Sequence, residues 1–203
     1  KPMNPLGPWT DKQARSLLEK RNDSLKGGEK WRQLDFFVGL ALVVLLALCL
    51  RAVVAEPNAV KGPSMEDTLS GGDYMFMEKI SYIFQPMERG DLVICYYPHN
   101  DEYTCVKRII GLPGERVDIR QGRVYINGAL LEETYLTKFP TANHDGSWLV
   151  EEGTVFVLGD NRSVSKDSTN PTVGCIPQER ILGRVRTRLL PLNQFTVFSH
   201  WEY

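Results

Sequence analysis

Few residues of this 203-residue chain are placed to act as a nucleophile or a base, and that scarcity limits the chemistry. The three histidines, His99, His144 and His200, lie in turn-like or terminal stretches. The four cysteines, Cys49, Cys95, Cys105 and Cys175, form no CxxC pair and no histidine spacing suited to zinc, so no metal centre is expected. No phosphate-cradling glycine loop is present either, and no cofactor is called for. A hydrolase made from this sequence needs a base other than histidine. Three segments hold the remaining candidates: EPNAVKGPSMEDTL at 56–69, CVKRIIGLPGE at 105–115 and LGDNRSVSKDS at 158–168. Taken singly, each has an ordinary explanation. A serine after proline is a turn residue, a lysine in a strand is an edge charge, and GDNR makes a tight turn.

The elements that must position these segments divide the chain sharply. Residues 36–50 (FFVGLALVVLLALCL) carry no charge, Arg51 interrupts them, and residues 52–55 resume the run. The sum is roughly 20 residues, about what a helix needs to cross a hydrocarbon core. Arg51 falls near one end, where its stem can carry the guanidinium to the headgroups. Lys12, Arg15, Lys20, Arg21, Lys26, Lys30 and Arg32 precede the run, whereas little beyond Arg51 and Lys61 follows it, so the N-terminus is expected to be cytoplasmic. A cleavable signal peptide is the competing reading of the same run. Residues 10–26 read as a short polar helix capped by Thr10 and stopped by Gly27-Gly28. The balance of 24 Lys and Arg against 25 Asp and Glu excludes a nucleic-acid partner, which would require a basic face.

Beyond residue 55 the pattern becomes short runs rich in β-branched residues, separated by turn residues: 91–97, 104–110, 116–119, 123–126, 154–158 and 181–188. The Asn127-Gly128 pair that follows one of them is a hairpin signal. The expected fold is mainly β. A cytoplasmic basic segment (1–35) and a single transmembrane helix (36–55) precede an extracytoplasmic domain of antiparallel sheets (56–203). A small β insertion is expected at about 117–150, and its polar stretch 134–147 is the candidate mobile loop. Cys95 and Cys105 face one another across a predicted hairpin around His99 and Asn100, either as a disulfide or as two small buried thiols.

In order and content, the three segments, with RGDLVI at 89–94 and the preceding apolar span, resemble the boxes of type I signal peptidases. These are membrane-bound Ser-Lys proteases that remove signal peptides from exported proteins. The resemblance implies that Ser64 is the nucleophile and Lys107 the general base. A lysine is a base only when neutral. With an ordinary pKa near 10.4, it must be lowered by about 3, equivalent to ~4 kcal/mol, and desolvation can supply that. The neighbours Val106, Ile109 and Ile110 suit a dry site, and strand alternation puts Cys105 on the side of Lys107 with Val106 and Arg108 opposite.

By the same resemblance, Ser165 hydrogen-bonds and orients the Lys107 amine, while Asp160, Arg162 and Asp167 hold the loop, with Arg108 pairing to Asp160. Gly62 stands where some members of the family have a hydroxyl that donates to the oxyanion. Asp67 replaces a frequent proline, at a cost in rigidity, and Thr169 replaces a frequent arginine, with one ion pair lost. Cys105 stands where a bulkier aromatic is common. Val60, Met65, Leu69 and Val106 are expected to wall pockets for small residues such as Ala at the first and third positions before the cut. The substrate would add as a strand beside 58–64 and 104–107. The implied partners are signal peptides of exported preproteins and membrane lipid, the latter touched by Phe76, Ile83, Phe84 and residues 195–201. The protein is expected to act as a monomer. A self-cleaving Ser-Lys regulator and an inactive membrane-anchored β module are the alternatives; the span speaks against the first and the presence of both Ser64 and Lys107 against the second.

Overall fold

The computed structural model describes residues 11–98, 100–137 and 144–198. His99, His200 and Trp201 therefore lie outside the described residues. The chain forms two compact units, one up to Leu50 and one from Arg51 onward.

Before the strands, the described residues form one helix, α1 (Asp11–Val54). The stop expected at Gly27-Gly28 does not occur. A glycine inside a helix costs about 1 kcal/mol against alanine, which weakens the helix without ending it. Along α1 the apolar side chains from 36 to 48 are exposed, Phe36 and Phe37 by 66% and 63%. Among the described residues no helix is long and apolar enough to cross a membrane. The side chains of residues 49–55, the remainder of the expected span, lie outside those described.

The second unit is built of antiparallel strands. Its larger sheet contains β1 (Ala55–Ala59), β2 (Tyr74–Glu78), β3 (Leu92–Tyr97), β4 (Asn100–Gly111), β9 (Thr154–Leu158), β10 (Ile176–Pro177), β11 (Ile181–Leu190) and β12 (Thr196–Val197). The order is β1-β2-β11-β3-β4-β9-β10, with β12 on β11. The smaller sheet comprises β5 (Arg116–Arg120), β6 (Arg123–Ile126), β7 (Ala129–Leu130) and β8 (Gly146–Leu149), in the order β7-β6-β5-β8. A short helix, α2 (Ser81–Phe84), follows β2. Strands β3, β4, β9 and β11 form where Val, Ile and Thr are dense, because branched side chains pack well on a pleated, half-buried surface. Asn127 and Gly128, with φ of 51° and 86°, turn β6 into β7 as the dipeptide predicts. Gln121 and Gly122 make an equivalent left-handed turn between β5 and β6.

Strand alternation on β4 separates the core. Val106 packs with Val60, Met65, Leu69, Met75, Met77, Leu92, Ile94 and Val185. Cys105 and Ile109 pack instead with Val93, Cys95, Val155 and Val157. A third cluster joins Ile110, Phe156 and Leu158 to Val117, Ile119 and Val124 of the smaller sheet. A side chain at Gly111 would collide with Val117, Val150 and Phe156, so this contact requires glycine there.

Candidate active site

Ser64 begins a tight turn between β1 and β2. Pro63 accepts the Glu66 N–H at 3.1 Å, and Met65 accepts those of Thr68 and Leu69 at 3.0 and 2.7 Å. Met65 and Leu69 are driven into the core at 1% and 0% exposure, which anchors the turn from below and leaves Ser64 half-buried above it. Gly62, at φ 82°, reverses the chain into the serine. Space around Gly62 is open, but a left-handed φ disfavours any side chain by about 1–2 kcal/mol. The backbone itself thus selects against a hydroxyl-bearing residue at this position.

Lys107 comes from the middle of β4, paired in register with Val93 of β3, and is 1% exposed. Its Nζ donates to Ser64 Oγ at 2.9 Å. The two residues resemblance singled out, 43 positions apart, therefore meet in a part-buried contact.

The loop after β9 closes the site from behind. Asn161 N–H donates to the Ser64 carbonyl at 3.0 Å, and Gly159 N–H donates to Asp167 at 3.0 Å. A side chain at Gly159 would overlap Ser165 and the Ser64 carbonyl, so glycine is what lets the loop reach the nucleophile's backbone. Asp167 also accepts the Thr169 hydroxyl at 2.8 Å, so a hydroxyl-to-carboxylate bond stands where the resemblance implies a lost ion pair. Ser165 sits on Gly159 with its Oγ buried and, among the described residues, without a hydrogen-bond partner. The expected bond from Ser165 to Lys107 is absent, although the serine is on the correct loop.

On the opposite face of β4, Arg108 makes the expected pair with Asp160 in two-pronged form: Nε to Oδ1 at 2.9 Å and Nη2 to Oδ2 at 2.6 Å. Burial opposes the Arg108 charge, but the Asp160 carboxylate outweighs it and holds the guanidinium above its ordinary range. Thr68, from the nucleophile's turn, donates its hydroxyl to the same carboxylate. The Tyr135 ring covers the Arg108 guanidinium, its centroid 3.9 Å from Cζ. Arg162 donates Nε to the Gly159 carbonyl at 3.0 Å and grips Glu133 with both terminal nitrogens. Arg89 pairs with Glu115 at 2.6 Å and, together with main-chain bonds between Gly90, Asp91 and Ile109, ties the 89–94 segment to β4.

Val60, Met65, Leu69 and Val106 lie in the core under the turn, at 4%, 1%, 0% and 8% exposure. Of the expected wall residues only Cys105 is partly exposed, with Gly62 exposed beside the serine. Asp67 has φ 90°, which the proline ring, fixed near −65°, cannot adopt. Its presence reflects a different local backbone and not merely a loss of rigidity. Glu133 and Tyr135 were missed altogether. They lie in or beside a stretch read as a mobile loop, and nothing local in EETYL signals that they reach two arginines elsewhere in the chain.

Comparison with known proteins identifies the family. Residues 33–190 match the family model described as signal peptidase, peptidase S26. A probable signal peptidase I of Synechocystis sp. is 36% identical over 81% of this chain and 87% of its own. Signal peptidase I of Leptolyngbya laminosa is 40% identical over 76% and 78%, and signal peptidase IB of Staphylococcus aureus is 31% identical over 80% and 92%. A solved signal peptidase I of Enterococcus faecalis is 34% identical and covers 49% of this chain and 97% of that one, with a TM-score of 0.43. With relatives of this similarity over most of their length, the chain belongs to the signal peptidase family, peptidase S26, and is a serine endopeptidase of the signal peptidase I type.

Proposed function

We propose that this enzyme removes N-terminal signal peptides from exported preproteins after small residues, at Ala-X-Ala-type sites, with Ser64 as nucleophile and Lys107 as general base. The observation that carries this reading is the 2.9 Å contact between Lys107 Nζ and Ser64 Oγ, made by a lysine that is 1% exposed. Only the neutral form of an amine accepts a proton, so this reading requires Lys107 to be neutral when Ser64 attacks. Lys107 takes the Ser64 proton as Oγ attacks the scissile carbonyl, and the Ser64 N–H stabilises the oxyanion. Collapse breaks the peptide bond, the lysine returns its proton to the departing amine of the mature chain, and the signal peptide remains esterified to Ser64. Lys107 then deprotonates a water that hydrolyses the ester and regenerates the serine.

The open edge of β4 supports strand addition by the substrate. Pairing with β9 starts only at Arg108, so residues 104–107 are paired through β3 on one side and are not paired with β9 on the other. The exposed apolar run of 36–48, with the basic residues before it, supports residues 36–55 as a single-pass anchor in the cytoplasmic membrane, N-terminus inside and catalytic unit outside. Ile83, Phe84, Phe195 and Val197 are exposed by 70%, 79%, 56% and 61%, and we assign them to contact with lipid. We assign the enzyme as a monomer.

The test is Ser64→Ala in detergent-solubilised full-length protein, assayed on a preprotein with N-terminal sequencing of the product. The wild type should cut after the Ala-X-Ala site and the variant should not cut. Full cleavage by the variant would remove Ser64 from the mechanism.

A further inference from the structure

Cys95 and Cys105 are exact register partners across β3 and β4, with Sγ atoms 3.5 Å apart, and both are free thiols. Directly opposed residues of an antiparallel pair have Cα atoms about 4.5–5.5 Å apart, within the roughly 4.4–6.8 Å that a disulfide spans. Closing the sulfurs to about 2.05 Å therefore needs side-chain rotation and little backbone movement. The two thiols differ in environment. Cys95 is fully buried, while Cys105 is partly exposed and two residues before Lys107 on the same strand face. The Cys95 hydrogen bond, opposed by burial and aided by the Tyr97 hydroxyl, lowers the Cys105 thiol to about 7. Cys95 is pushed the other way by the same bond and by burial. One thiol is thus reachable and readily ionised, and the other is held behind it as the resolving partner.

We propose that Cys95 and Cys105 form a reversible dithiol–disulfide modification site in the wall of the substrate groove, oxidised by low-molecular-weight disulfides such as oxidised glutathione. The Cys105 thiolate attacks one sulfur of the oxidant, forming a mixed disulfide and releasing one glutathione thiolate. The Cys95 thiol then loses its proton and displaces the second glutathione from Cys105, forming the cross-strand bond. Two electrons and two protons pass from the protein to the oxidant, giving two reduced glutathione molecules for one protein disulfide. Because Cys105 borders the open edge of β4, the bridge changes the surface on which substrate docks while leaving Ser64 and Lys107 in place. This last consequence rests on the groove assigned above; the covalent chemistry does not.

The test equilibrates the full-length protein in buffers of graded reduced and oxidised glutathione, then alkylates, digests and maps peptides. Cys95 and Cys105 should lose alkylation together and appear as one linked peptide lighter by two hydrogens, while Cys175, which packs in a different cluster, stays alkylated. Dithiothreitol should restore both thiols. In Cys95→Ala the same buffers should stall at a glutathione adduct on Cys105. Continued alkylation of both residues in the fully oxidised wild-type buffer, or linkage of Cys105 to another cysteine, would overturn the site, and this readout needs no activity. On a preprotein, the oxidised wild type should show KM changed at least twofold with kcat retained, reversed by dithiothreitol. A disulfide that forms with KM unchanged would overturn its place in the groove.

Discussion

Lys107 and Arg108 are neighbours on β4, both cationic residues and both nearly withdrawn from water, at 1% and 6% exposure, yet alternation gives them opposite surroundings. Arg108 faces a carboxylate in two-pronged geometry, a threonine hydroxyl, a backbone carbonyl and an aromatic ring. Lys107 faces a serine hydroxyl. A guanidinium cannot give up its proton under ordinary conditions, so burying it requires a matching anion. An amine can, and Lys107 has a hydroxyl within hydrogen-bond reach instead of an anion. One face of the strand is a fixed charge that holds three segments together, and the other is where a proton can move.

The sharpest way to break this contrast is to remove the two cations separately and measure urea unfolding in detergent. Arg108→Met leaves Asp160 buried and unpaired and should cost about 3–5 kcal/mol, whereas Lys107→Met leaves no buried anion and should be neutral or stabilising. Equal losses would mean that Lys107 also has an essential structural charge. Glu133→Ala should cost somewhat less, about 3 kcal/mol, because it strips the buried Arg162 of its carboxylate, and activity should fall with the displaced 158–168 loop. Loss of stability with full activity would separate that loop from Ser64.

At the nucleophile's turn the expected effects are smaller. Asp67→Pro should lose more than about 1 kcal/mol because its φ of 90° is closed to proline, and Asp67→Gly should change stability by less than about 1 kcal/mol. A proline variant as stable as the glycine variant would contradict the left-handed backbone. The smallest effect concerns the thiol beside the lysine. Because Cys105 is lowered to about 7, its alkylation rate should rise with pH to half-maximum near 7 in the wild type, and Cys95→Ala should move that midpoint upward. An unmoved midpoint would mean that the Cys95 hydrogen bond does not set the shift.

What was legible in the sequence was what short segments determine. The branched runs at 91–97, 104–110, 154–158 and 181–188 mark four central strands, and the alternation along CVKRII places Lys107 and Arg108 on opposite faces. The facing cysteines follow from hairpin geometry, and the Arg108 to Asp160 pair is what the family resemblance implies. Other features depend on distant partners. Ala55–Ala59 contains Pro57 and looks unlike a strand, but it lies at the sheet edge, where proline is tolerated. Val60, Met65 and Leu69 sit near the serine in sequence, but their packing in the core beneath the tight turn is set by partners far along the chain. Glu133 and Tyr135 acquire meaning only when the smaller sheet delivers them to Arg162 and Arg108. Gly27-Gly28 look like a stop only if local propensity decides the helix end.

The central claim is that the buried lysine is the base for Ser64, and the most direct measurement is preprotein cleavage by full-length Lys107→Met whose folding has been verified by its unfolding curve. The account predicts kcat/KM reduced by at least about 10³-fold, within the ~10²–10⁴ range a general base supplies, with stability equal to or above that of the wild type. Cleavage at the wild-type rate by this folded variant would contradict it.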